Sequence, residues 1–167
     1  MAARADRSAV GERAAALRAA QAALAAEHAA VYGYGVVGGR IGDDRLAEAR
    51  EGYAAHRARR DGLARTVRDL GGRPTSAAPA YALPFAVPDA PAAVRLAAEL
   101  ENRVAAVYAD LVRASTGSLR RQAAGALREA AVRAVRWRGG GVAFPGLTEH
   151  ATPATQSASP SGGSDGV

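Results

Sequence analysis

Apolar residues recur every three or four positions along four long stretches of this chain, and the gaps between the stretches run short, long, short. That spacing marks helices with one buried face. The first stripe reads Leu17, Ala20, Leu24, Glu27, Val31, Tyr34, Gly38 and predicts a helix from about Ser8 to about Gly38. The second reads Leu46, Ala49, Tyr53, His56, Arg60, Leu63, Val67, Leu70, with Asp43 or Asp44 as cap and Gly71-Gly72 as stop. The third reads Val94, Ala97, Glu101, Val104, Tyr108, Leu111, with Asp89 as N-cap and Pro91 in the first turn. The fourth runs through Leu119, Ala123, Ala126, Ala130 and Ala134 to Trp137 and stops at Gly139, Gly140 and Gly141.

The gaps set the topology. A few residues join helices one and two, and a few join helices three and four, so each pair forms an antiparallel hairpin. Between the hairpins lie residues Gly72 to Ala90. A linker of that length reaches ~63 Å when extended, whereas the second helix is ~42 Å long. The linker is therefore long enough to cross the full length of the bundle. Two hairpins joined by one long crossover is the ferritin-like connection. Composition agrees with an all-α fold, because Ala dominates while aromatics make up only 5%. The expected organisation is a ferritin-like four-helix bundle over residues 8–141, followed by a disordered Ser/Thr/Pro/Gly-rich tail over 142–167. Within the linker, Tyr81-Ala82-Leu83-Pro84-Phe85 is too apolar for a solvated loop and is expected to pack on the bundle as a clasp.

Several function classes drop out. The chain has no cysteine, which excludes disulfides, thiolate metal sites and cysteine nucleophiles. Its basic residues are all arginines, and its net charge is +6. They alternate with acids along every helix rather than massing in a tail, so nucleic acid is not the expected partner. Arg4, Asp6, Arg7, Glu12, Arg13 and Arg18 interrupt the N-terminal stretch, which predicts no secretory leader. No segment has the apolar length of a membrane span, and a cytoplasmic location is the expectation.

Glu27, His56 and Glu101 stand in the middle of stripes that should be apolar. Groups of this kind enter a core only when bound to something or to each other. One arrangement is a metal centre. A di-iron or di-manganese bundle needs a Glu from each of two helices and Glu-x-x-His from each of the other two. Glu27 and Glu101 fit the single acids. His56 has Tyr53 three residues before it instead of an acid, and Glu129 has Val132 three residues after it instead of a histidine. A reduced iron or manganese site would then use Glu27, His56, Glu101 and Glu129. The other arrangement needs no metal. Arg60 follows His56 by one turn, and its guanidinium can bridge two carboxylates that would otherwise repel in low dielectric, helped by Arg57 or Arg103. Helix one can also be rotated so that His28 rather than Glu27 faces inward. Glu129 itself shares a face with Gln122, Arg133 and Arg136, which reads as a solvated flank. Finally, Gly33 to Gly38 matches G-x-G-x-x-G but lies in a helix with no preceding strand, so it reads as close helix packing and termination rather than a dinucleotide loop.

The blocks Ala22-Ala23-Leu24-Ala25-Ala26-Glu27-His28-Ala29-Ala30-Val31-Tyr32-Gly33-Tyr34-Gly35, Ala55-His56-Arg57-Ala58-Arg59-Arg60-Asp61, Tyr81-Ala82-Leu83-Pro84-Phe85 and Ala131-Val132-Arg133-Ala134-Val135-Arg136-Trp137-Arg138 resemble a ferritin-like domain family of unknown function from high-GC bacteria. The resemblance covers roughly residues 15–140 and implies the ferritin-like bundle. It brings no activity, substrate or ligand set with it. Both Glu-x-x-His motifs of the wider superfamily are missing here, which argues against oxidase and catalase chemistry.

The leading expectation is a non-enzymatic bundle with a metal-free core network of Glu27, His56, Arg60 and Glu101, acting as an interaction module and forming a homodimer through an Ala- and Gly-rich helix face. The alternative is an iron- or manganese-dependent oxidoreductase.

Overall fold

The computed structural model describes residues 2–139. It holds four helices: α1 (Ala2–Gly38), α2 (Asp43–Asp69), α3 (Ala90–Ala114) and α4 (Gly117–Arg138). Helix α1 begins six residues before the expected Ser8, since Ala2, Ala3 and Ala5 are strong helix formers that carry the turn outward. The tail expected over 142–167 lies outside the described residues.

Local chemistry explains most of the helix ends. Asp89 caps α3, its Oδ1 accepting from the Ala92 amide at 2.8 Å, with Pro91 in the first turn. Helix α4 ends at Gly139, whose φ of 75° is a conformation that costs glycine nothing. Helix α2 corrects the expectation: Gly42 occupies the cap position, and Asp43 and Asp44 fall inside the first turn. There they act on the helix dipole instead of bonding to the free amides.

The helices form an all-α bundle of two hairpins. Helix α1 packs against α2 and α3, and α3 packs against α4, whereas the α2 and α4 backbones stay apart and meet only through side chains, Arg45 on Trp137 and Arg59 on Glu129. The crossover lies along α1. Gln21 bonds to Arg73 O and to Thr75, His28 Nε2 meets Thr75 O at 3.1 Å, and the Tyr81 ring meets that of Tyr32 at a tilt with centroids 5.7 Å apart. Leu83, Phe85 and Val87 then pack against the buried apolar cluster that includes Tyr34, Leu96, Leu100 and Trp137. The apolar linker run thus seats as a clasp.

Apolar side chains form two clusters. One gathers Leu24, Leu63, Val67, Val104 and Leu111 with the small residues Ala123, Ala126 and Ala130 of α4. The other gathers Tyr34, Val37, Ala49, Leu96, Leu100 and Trp137. Two glycines permit this closeness. A Cβ at Gly33 would stand 2.5 Å from Leu100 Cδ1, and one at Gly52 would overlap the Tyr34 ring. Gly33 is thus the member of the glycine-rich run that serves helix contact, by lying flush against α3. No described helix is long and apolar enough to cross a membrane.

Candidate functional site: a buried charge network

Glu27, His56 and Glu101 come from α1, α2 and α3, and each is fully buried. Their neighbours in sequence place them between the two apolar clusters, away from water at both ends. His56 lies between the two acids. Its Nδ1 is 2.7 Å from Glu27 Oε2, and its Nε2 is 3.1 Å from Glu101 Oε1. A neutral imidazole can donate through only one nitrogen, so a ring held between two carboxylates is best served as the doubly protonated cation. Burial alone would lower the His56 pKa, but its hydrogen bonds to Glu101 and Glu27 and their charges outweigh burial and raise it.

Two phenols complete the carboxylate shells. Tyr34 donates to Glu101 Oε1 at 2.6 Å, and Tyr108 donates to Glu27 Oε1 at 2.7 Å. Burial, followed by the adjacent carboxylate in each case, raises both phenol pKa values far above the usual tyrosine range, so they remain donors. Tyr34 also accepts from Trp137 Nε1 at 2.9 Å, which ties α4 to the network.

The second cation is Arg133. Its Nε donates to Glu101 Oε1 at 2.8 Å, and the residue is only 9% exposed. Burial alone would raise the Glu101 pKa, but the His56 bond and charge, the Arg133 charge and the Tyr34 bond together hold it below the usual carboxylate range. Two carboxylates thus face one imidazolium and one guanidinium, and their formal charges cancel. The cancellation matters because an isolated ion in such a site costs several kcal/mol.

The structure corrects Arg60. Its guanidinium bonds to the neighbouring Asp61 at 2.8–2.9 Å at the surface and takes no part in the network. Four residues advance a helix by about 40° beyond a full turn, which turns Arg60 off the inward line of His56, and its long stem carries the charge toward water. The proposed helpers are elsewhere too: Arg57 lies over the Tyr53 ring at 5.8 Å, and Arg103 pairs with Glu99 at 2.7 Å. Arg133 is likewise not on a solvated flank. It adjoins the alanine stripe of α4, where Ala126, Ala130 and Ala134 leave room for a long side chain to reach α3. That shortage of volume opposite Glu101 was the one sequence signal for it. The open question about helix α1 is resolved as well, since His28 faces the linker and Glu27 faces the core.

Glu129 stands apart from the central three. It is 54% exposed, pairs with Arg59 Nη2 and lies 4.0 Å from Arg133 Nη2. The donor set fits a metal poorly. Both imidazole nitrogens and three of the four central carboxylate oxygens already have hydrogen-bond partners, leaving Glu101 Oε2 as the one unpaired acceptor. Among the described residues no group of three or more His, Asp or Glu side chains is arranged to hold a metal ion.

Comparison with known proteins brings kinship but no activity. No curated protein matches the chain. A crystal structure of a conserved hypothetical protein from Mycobacterium tuberculosis is 37% identical, with a TM-score of 0.71, covering 74% of this chain and 96% of the other. Residues 19–149 match the family described as Domain of unknown function (DUF4439), a span that takes in the whole network from Glu27 to Trp137. The chain therefore belongs to the DUF4439 family.

Proposed function

We propose that this protein is a non-enzymatic bundle of ferritin-like type, in which a fixed charge network stands where a metal centre would otherwise lie, and that it acts by binding through its surface. The observation that carries this reading is the position of His56. Its ring fills the space between Glu27 and Glu101 and supplies the positive charge that a cation would bring. All three residues have no exposure, so no substrate reaches them without the bundle opening. An iron or manganese site of Glu27, His56, Glu101 and Glu129 would require His56 to release both carboxylates and Glu129 to leave Arg59.

The natural surface event is self-association. Gly35, Gly38, Leu46, Ala49 and Tyr53 line a shallow, mostly apolar pocket on the α1–α2 face, with Tyr53 36% exposed. Small residues there let a second copy approach closely. Nucleic acid is not the partner proposed here, and four arginines, Arg45, Arg60, Arg103 and Arg113, are each paired with a nearby acid.

Metal analysis of protein purified without chelator tests the central claim. Less than a tenth of an equivalent, roughly, of iron, manganese or zinc is expected, since the donors are already engaged; near-stoichiometric metal that is lost in His56→Ala would reject it. Sedimentation of the wild type and of Tyr53→Arg tests the dimer, with dissociation expected in the variant.

A further inference from the structure

Because the α2 and α4 backbones stay apart, a groove of about 650 Å³ opens between them. That volume lies within the range of small-molecule sites, roughly 300–1,000 Å³. Leu63, Leu111 and Ala126 give it an apolar lining, and Arg59 and Glu129 stand on its wall. Two guanidinium nitrogens converge there on one carboxylate. Arg59 Nη2 pairs with Glu129 Oε2, and Arg133 Nη2 lies behind it at 4.0 Å from the same oxygen. Each arginine keeps a buried nitrogen without a hydrogen-bond partner among the described residues, Nη1 in Arg59 and Nη2 in Arg133. Buried donors of this kind are costly to leave unpaired. Glu129, by contrast, is more than half exposed and among the described residues is hydrogen-bonded to Arg59 alone, so it can swing out into water when another anion takes its place.

We propose that this groove binds a small organic carboxylate with an apolar body, whose head group replaces Glu129 against Arg59 and Arg133. Glu129 marks the place and the charge of that head group. A carboxylate brings the single negative charge that Glu129 withdraws and has two oxygens to offer the two guanidiniums, whereas a phosphate dianion would leave an excess of charge. The apolar body lies on Leu63, Leu111 and Ala126. This inference goes beyond the surface-binding role and does not depend on the absence of a metal.

Decanoate serves as the probe, titrated by calorimetry, with methyl resonances reporting where it binds. Glu129→Ala removes the internal competitor and should tighten binding at least ~10-fold, a change of about 1.4 kcal/mol. Arg59→Met in that background should abolish the gain. Decanol, with the same chain and no charge, should bind at least ~10-fold more weakly than decanoate. Gly125→Phe gives a second route should Arg59→Met fail to fold. Gly125 lines the groove, and a Cβ there would meet nothing within 4 Å, so a side chain is free to start into the groove, and the fold of the variant is checked by its unchanged helical signal. Binding should then be lost. Unchanged or weaker binding in Glu129→Ala, equal binding of decanol, or resonance shifts confined to another face would each overturn the proposal.

Discussion

Arg133 Nε donates to Glu101 Oε1 at 2.8 Å across the interface between α4 and α3, and the acceptor is the same oxygen that takes the His56 and Tyr34 bonds. Three donors on one buried oxygen leave Glu101 dependent on all of them. Arg133→Met keeps the stem's packing but removes the charge, leaving the two central acids with His56 as their only cation. Breaking a buried pair in this way costs about 3–5 kcal/mol, read as a fall in the urea midpoint at unchanged slope. Glu101→Gln combined with Arg133→Met should recover part of the loss. Arg60→Ala, which removes only a surface pair, should move stability by less than about 1 kcal/mol. Equal costs for Arg133→Met and Arg60→Ala would contradict the assignment.

Stability should have a maximum in mildly acidic solution. Folding raises the His56 pKa, so its contribution is complete below the ordinary 6.5 and is lost as pH climbs through the raised folded value. Folding lowers the Glu101 pKa, so its contribution is complete above the ordinary 4.5 and is lost as pH falls through the depressed value. The window between them is where both are whole. The groups facing His56 are Glu27 and Tyr34 on α1 and Glu101 on α3, with Arg133 on α4 reaching it through Glu101. Urea unfolding from about pH 3 to about pH 9 should show the decline on both sides, and the imidazole resonances should report a His56 still protonated above pH 6.5. A stability that rises steadily into alkaline solution would falsify the imidazolium.

The periodic stripes made the four helices, the crossover and the inward direction of Glu27, His56 and Glu101 legible, because a face repeated over many turns averages out local noise. Arg133 was not legible in the same way. It lies beside its helix's alanine stripe, and a guanidinium on a long stem reaches the core from a flank that a short side chain could not. Arg60 misled for the mirror-image reason: a position close to the stripe carried a chain long enough to leave it. Asp43 and Asp44 show the same limit at a helix end, where a shift of one residue turns a cap into a first-turn charge. The wall between α2 and α4 was invisible for another reason. No stripe records which helix backbones stand apart.

Gly52 faces the Tyr34 ring so closely that a Cβ there would overlap Cε1 and stand 2.7 Å from Cζ. Tyr34 is 1% exposed, and its hydroxyl is held between Glu101 and Trp137. Gly52→Ala should therefore displace the ring and lengthen its bond to Glu101, although alanine is the better helix former. Overpacking of this kind costs about 1–3 kcal/mol, against a gain of up to ~1 kcal/mol in helix propensity. A net loss of stability is expected in thermal unfolding. Stabilisation by Gly52→Ala would show that the ring yields more easily than its surroundings suggest.

Tyr34 and Tyr108 look equivalent, each donating to one buried carboxylate, yet their removal should not be. Tyr108→Phe deletes one bond to Glu27, a loss of about 1.5–3 kcal/mol for a charged acceptor. Tyr34→Phe deletes the bond to Glu101 and also the acceptor of Trp137 Nε1, leaving a buried indole donor unpaired in a residue 2% exposed. That orphaned donor adds about 1–3 kcal/mol. Tyr34→Phe should thus be the more destabilising variant in urea. It should also shift the emission of Trp137, the chain's single tryptophan, which Tyr108→Phe should leave in place. An equal cost for the two, with Trp137 emission unmoved in both, would mean that the hydroxyl of Tyr34 does not connect α4 to the buried charges.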